Sequence, residues 1–231
     1  MSVKRSNVDA TALACQKVCV NGPEKLIPPH GGYRNLKGFH LAQLIYDVTV
    51  RFCDRYLDRR SRTHDQMVQA ARSGGKNIAE ASQASGTSKK TELKLTNVAR
   101  ASLEELRGDY QDFLRHRGLE EWPPGHPALL RFKARRCATV DQVKAWVEDE
   151  RKRAIMAASQ AGPCPSVLVR ARPCSSVPTS SQLVANASLS LLNVCCYLLD
   201  RQLATLEKAF LEEGGFTERL YRLRTQKRKA G

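Results

Sequence analysis

Aromatic side chains are scarce in this chain, at 6% of residues, which leaves few flat rings on which bases could stack. Histidines number five: His30, His40, His64, His116 and His126. No two of them share a helical turn as a metalloprotease pair would, and no glycine-rich loop stands between a strand and a helix to cradle phosphate. Lacking an activated nucleophile, a metal centre and such a loop, the sequence is expected to encode no enzyme and to need no cofactor. No apolar run approaches the roughly 20 residues of a membrane-spanning helix, so no membrane partner is expected. Lys4 and Arg5 are followed by Asp9, Gln16 and Lys17, which interrupt any secretory apolar region. The eight cysteines are therefore expected as reduced thiols in a cytoplasmic setting. Cys15, Cys19 and His30 could supply three metal ligands, but no fourth falls at a standard spacing.

Acidic residues are also in short supply. Against 23 Asp and Glu stand 38 Lys and Arg, for a net charge of +15 and a pI near 9.7. A solvated basic surface of that size attracts polyanions, which makes RNA or DNA the default partner.

Strand alternation is nearly missing, and helical spacing is plentiful. Residues 1–32 read as a loose leader ending in Pro28-Pro29-His30-Gly31-Gly32. A first helix is expected over 36–58, with Leu41, Leu44, Ile45, Val48, Phe52 and Tyr56 on one face. A second runs over 63–84, opened by a Thr63/Gln66 capping box and closed by Ser85-Gly86. A third occupies 88–117, capped by Ser88 or Thr87, with Leu95, Ala99, Leu103, Leu106, Tyr110, Phe113 and Leu114 inward and Gly118 as its left-handed stop. The fourth spans 183–213, with Leu191, Leu192, Cys195, Leu198, Leu199, Leu203, Leu206 and Phe210 as its seam and Gly214-Gly215 after it. Between the third and fourth lies an insertion, 119–182. It holds short helices over 128–136 and, from a Thr139/Gln142 capping box, over 139–159, then a Pro/Ser-rich linker over 160–182. Residues 214–231 form a basic suffix. The fold class is thus all-α: an antiparallel up-down four-helix bundle over 33–213 with an inserted, partly helical segment.

The second helix is the most telling. Met67, Ala71, Gly74, Ile78 and Ala81 recur at intervals of three and four, so small side chains line one face and invite close approach by a neighbouring helix or subunit. Gln66, Ser73, Asn77 and Glu80 form a polar stripe beside it, either a network between helices or subunits or a solvated face. Surplus apolar residues such as Ala70 and Leu93 suggest faces covered by another copy of the chain.

Candidate nucleic-acid contacts are Arg59, Arg60 and Arg62 at the first turn and Arg72 and Lys76 on the second helix. Lys89 and Lys90 follow at the next turn, and Arg219, Arg222, Arg224, Lys227, Arg228 and Lys229 lie in the suffix. Cations at helix ends and in a flexible tail reach phosphates without burial, giving salt-dependent affinity and little base reading. No aromatic is expected to stand among them. Arg100 and Arg107 are instead expected to pair with Glu104 or Glu105 and Gln111 on their own helix. Arg107-Gly108-Asp109 and the sequon Asn186-Ala187-Ser188 both fall inside helices and carry no function.

The run Gln66–Ala81, with Arg72, Ser73, Asn77, Ile78, Ala79 and Glu80, resembles the second-helix signature of a bacterial four-helix-bundle family. That family includes proteins encoded in intervening sequences of large-subunit ribosomal RNA genes and the accessory protein of diversity-generating retroelements. Tyr33-Arg34-Asn35-Leu36 and the set Glu92, Ser102, Leu103, Glu105 and Leu106 support the resemblance. The segments Asn193–Arg201 and Glu212–Leu220 resemble a subgroup with a C-terminal suffix. Departures are Ala81 and Ala101, where the family has glycine, and the long insertion. The resemblance implies a homo-oligomer, a pentameric ring with basic surfaces, that binds nucleic acid. The alternative it implies is an adaptor that docks a reverse transcriptase or another protein through the insertion and the suffix.

Overall fold

The computed structural model describes residues 26–160 and 177–230, and among these the regular structure is entirely helical. A 3-10 turn (Gly32–Asn35) leads into α1 (Lys37–Tyr56), α2 (Arg62–Ala84) and α3 (Lys89–His116). The chain continues through α4 (Pro127–Arg135), α5 (Val140–Gln160), α6 (Ser180–Glu213) and α7 (Phe216–Ala230). The leader up to residue 25 and the linker over 161–176, including Cys15, Cys19, Cys164 and Cys174, lie outside the described residues.

Side chains at the helix starts explain where the helices begin. Ser61, not Thr63, caps α2: its Oγ accepts from the Thr63 N–H at 3.2 Å. The capping serine stands two residues before the expected pair because Arg62 is already helical. Ser88 caps α3 as expected, accepting from the Thr91 N–H at 3.2 Å. Thr139 accepts from the Gln142 N–H at 3.4 Å, while the Gln142 carboxamide oxygen accepts from the Ala138 N–H at 2.7 Å. Thr179 caps α6, which therefore starts at Ser180, ahead of its apolar pattern. Gly118 (φ +62°) and Gly214 (φ +73°) adopt the positive φ that a residue with a side chain resists, and they follow the ends of α3 and α6. The suffix is not a flexible tail: Phe216–Ala230 is helical.

The core gathers around the first half of α6. From Leu183 to Leu192 every residue except Val184 is buried, on all sides of the helix. A helix with no solvated face must be surrounded. Here α1, α3, α4 and α5 all lie against α6, while α2 packs on α1 and α3. Along α1 and α2, Cys53 meets Met67 and Gly75 faces Ala42. On α3 and α6, Arg107 reaches Asn193 and Arg100 pairs with Asp200. On α2 and α3, Gly74 faces Leu103 and Ser73 lies 3.2 Å from Ser102 Oγ.

The insertion belongs to this core. Trp122, Leu129, Phe132, Val143, Trp146 and Val147 are buried in it. Asn186 on α6 holds the insertion's entry, accepting from the Trp122 N–H at 2.7 Å and donating to the Glu120 carbonyl at 3.1 Å. Arg131 and the buried Glu150 clasp α4 to α5 through two bonds of 2.7 and 2.6 Å. Several expected core positions are only partly covered: Leu95 on α3, and Leu198, Leu203, Leu206 and Phe210 on α6. On α3 the buried line instead begins with Glu92 and Thr96, and on α6 no residue beyond Leu199 is buried.

Met67, Ala71, Gly74, Ile78 and Ala81 all turn inward, as their spacing predicts. They are consumed by contacts within one chain, so they offer nothing to a neighbouring copy. Ala70, expected as surplus, is buried too. The notch at Gly74 is filled by a side chain: a Cβ there would stand 2.6–2.7 Å from Leu103 Cδ2 and Cγ. Beside it, a Cβ on Gly75 would meet Ala42 at an ordinary 3.9 Å. Gly74→Ala is therefore expected to destabilise by about 1–2 kcal/mol, the overpacking outweighing the helix propensity gained. Gly75→Ala should stabilise by up to about 1 kcal/mol. Denaturant melts of the two variants check the opposite signs.

Candidate nucleic-acid interface

The expected cationic residues do not form one site. Arg59 and Arg60 lie exposed in the α1–α2 turn and Arg62 opens α2. Arg59 is drawn to Asp54 at 3.4 Å, while the Arg60 backbone N–H bonds to Asp58 at 2.9 Å. Lys90 is exposed at the far end of α2, about 34 Å away at the helical rise. Lys89 is half-buried and pairs with Glu92 at 3.2 Å, so it belongs to the α3 terminus and is not a free contact. Arg72 and Lys76 sit one turn apart, exposed, on the rim of a groove of about 800 Å³ between α1 and α2. Tyr33, Phe39 and Tyr46 line that groove, an aromatic neighbourhood for cations that composition did not suggest.

The suffix gathers the densest charge. Arg219, Arg222, Arg224, Lys227, Arg228 and Lys229 are on α7, with Glu218 as the acid in its first turn. No described residue of this helix is buried. Glu218 accepts from the Gly215 N–H at 2.9 Å, and Arg222 donates to the Glu213 carbonyl at 3.3 Å. Tyr221 stands among the cations at 73% exposure, which corrects the expectation that no aromatic is placed to stack.

The polar stripe of α2 is split. Asn77 Nδ2 donates to Ser73 Oγ at 3.1 Å, linking α2 to Ser102 on α3. Gln66 and Glu80 are exposed and take no part. Arg107 pairs with Glu104 at 2.6 Å on its own helix, but Arg100 reaches across to Asp200 on α6, a partner that spacing along one helix could not show.

Sequence reasoning missed a second set of cations, Arg51 and Arg55 on α1 with Lys144, Arg151 and Lys152 on α5, which line a common trough. The signal was the four-residue spacing on α1 and the basic run after Glu150. What was absent was any hint that α1 and α5 are neighbours.

Little in the titratable groups points to catalysis. Burial pushes the Cys53, Cys195 and Cys196 thiols up to about 12, which keeps them protonated and unreactive at neutral pH. Among the described residues no three His, Cys, Asp or Glu side chains gather as a metal site. One apolar stretch within Ser180–Lys229, of mean hydropathy 1.5, is long enough to cross a membrane, contrary to the reading of the bare sequence. It is 67% buried inside the protein, as a central core helix would be.

Asp109 on α3 is the perturbed acid: burial first, then Glu105 and Asp112, raise its pKa to about 6. Its neighbours in charge are other acids, so this is a crowded carboxylate. A folded pKa above the unfolded value means stability is lost as pH rises from about 4 through 6. Asp109→Asn should raise the thermal midpoint at pH 7 and leave it unchanged near pH 4, read by thermal melts at both. No protein-family model matches the chain, and neither a curated protein nor a solved structure is significantly similar to it.

Proposed function

We propose that this chain is a non-enzymatic, homo-oligomeric helical protein that binds nucleic acid through cationic surface, mostly at the phosphate backbone. Its core would be an antiparallel up-down four-helix bundle of α1, α2, α3 and α6. The contact pairs support that topology, because as the residue number rises along one helix it falls along its neighbour. Cys53 with Met67 and Gly75 with Ala42 run so, as do Arg107 with Asn193 and Arg100 with Asp200. The same order carries the end of α6 towards the start of α3, and α7 towards Lys90.

The observation that carries the binding reading is α7: six cations against Glu218 on a helix with no buried residue among those described, with Tyr221 exposed between them. Arg72 and Lys76, beside the aromatic-lined groove, would add contacts. Each phosphate neutralised releases counterions, so affinity should fall steeply between about 50 and 200 mM salt. In a filter-binding series, Arg222→Gln and Arg224→Gln should each make the log–log salt slope shallower by about 0.7–0.9. Tyr221→Ala should weaken single-strand binding by about 1–3 kcal/mol at an unchanged slope. A flat salt response, or no binding at low salt, removes the reading.

Assembly into a ring, a pentamer as the resemblance implies, would repeat these cations around one particle and raise avidity. Val98 on α3 and Val194 and Tyr197 on α6 remain substantially exposed, a surface that a second copy would cover. Light scattering should report several copies per particle, and Tyr197→Glu should lower the mass. A monomeric wild-type chain would sink the assembly.

A further inference from the structure

We propose that the trough between α1 and α5 is a docking site for an acidic amphipathic helix contributed by another protein. The proposal stands apart from nucleic-acid binding. The trough holds about 450 Å³ and closes at Ser180 and Val184, where α6 begins. Its floor is apolar: half-buried Tyr56 from α1, Val140 from α5 and Val184 from α6 remain open to it, over Val48, Phe52, Val143 and Val147, which are buried beneath. Its banks are cationic, with Arg51 and Arg55 on one side and Lys144, Arg151 and Lys152 on the other, all exposed.

These charges are only partly matched within the protein, where Lys152 lies in the field of Asp149. Glu148 is the acid in the lining, and Arg51 meets Asp141 at 3.6 Å with both side chains largely in solvent. Among the described residues Arg55, Lys144, Arg151 and Lys152 have no ion-pair partner. Past the floor, α5 keeps large apolar side chains in water, Ile155 at 49% and Met156 at 63% exposure.

The arrangement discriminates among occupants. A single anionic headgroup wants cations converging on one point, but these line two banks and extend about 12 Å along α5. A phosphate backbone has no use for an apolar floor. Another copy of this chain carries +15, and the half-exposed apolar stripe of α6, Leu203, Leu206 and Phe210, runs directly into the cations of α7. A helix with an apolar stripe at intervals of three and four and acids on both flanks fills the floor and neutralises both banks together.

The test uses the full chain and a fluorescein-labelled synthetic peptide of about fifteen residues, four helical turns, with leucines along one stripe and glutamates flanking it. Two controls accompany it: the same residues permuted to destroy the stripe, and lysines in place of the glutamates. Anisotropy titration should show saturable binding about tenfold or more tighter than for the permuted peptide, and none by the lysine peptide. Arg151→Glu combined with Lys152→Glu, and separately Ile155→Glu, change exposed residues and leave the circular dichroism unaltered. Each should weaken the glutamate peptide about tenfold, and the double charge reversal should let the lysine peptide bind. Absence of saturable binding, or equal binding of the permuted peptide, would overturn the proposal. So would full affinity in both variants, or displacement of the peptide by an oligonucleotide or by dodecyl phosphate. A fall in particle mass on Ile155→Glu would overturn it in favour of a second copy.

Discussion

Residues 183–192 of α6 have almost no face they can show to water, and that constraint organises the molecule. Leu183, Leu189, Leu191 and Leu192 point in different directions around the helix, and the buried residues between them are Ala185, Asn186, Ala187, Ser188 and Ser190. Small residues let partners approach on every side, and each partner removes apolar area worth about 25 cal/mol per Å² from water. Two neighbours could cover only part of such a cylinder. The remaining sector is closed by α4 and α5, which explains why a segment that looks like an insertion contributes Trp146, fully buried and packed on Phe132 at 4.8 Å between ring centres. The one large polar group in the stretch, Asn186, is used to tie that segment down.

Around this axis, close approach is arranged pair by pair. Leu103 fills the place of a missing side chain at Gly74, so α2 and α3 share a locked register that a larger residue would disturb. Thr49 and Tyr110 place a buried hydroxyl pair 3.0 Å apart between α1 and α3, and Thr49 also donates to the Ile45 carbonyl. Both polar groups are satisfied without water, which fixes the rotation of α1 against α3. Phe52 packs on both Tyr110 and Phe113, at 4.9 and 4.7 Å. The buried aromatic residues are concentrated at this junction and under the insertion.

What could be read from the sequence was whatever depends on neighbours along one helix. The three–four spacing of Met67, Ala71, Gly74, Ile78 and Ala81 needs no partner to be recognised, and all five are buried. The same holds for Ser88 as a cap and for the glycines at 118 and 214. What failed depended on elements remote in sequence. Arg100 chooses Asp200 over its own helix. Lys89 is a local exception, taken up by Glu92 three residues on along the same helix. The start of α6 was hidden because Ser180, Ser181 and Gln182 are polar, although Thr179 caps it. The trough cations were invisible as a site because Arg55 and Arg151 lie far apart in the chain.

The distribution of charge follows from the same packing. Where helices meet near the surface, acids are matched to cations: Arg100 with Asp200, Arg131 with Glu150, Arg135 with Asp149. The acid supply is small, 23 against 38 cations, so pairing leaves a net excess of positive charge, much of it on α7. On α7 the result is like charge repeated along fifteen residues, a length at which an isolated helix is marginal in water even without repulsion. Glu218 near its start and Lys227, Arg228 and Lys229 in its last turn suit the helix dipole, which offsets part of the strain. A polyanion lying along α7 would cancel the mutual repulsion of its cations. On that reading, helix stability and anion affinity at α7 would be coupled, each raising the other.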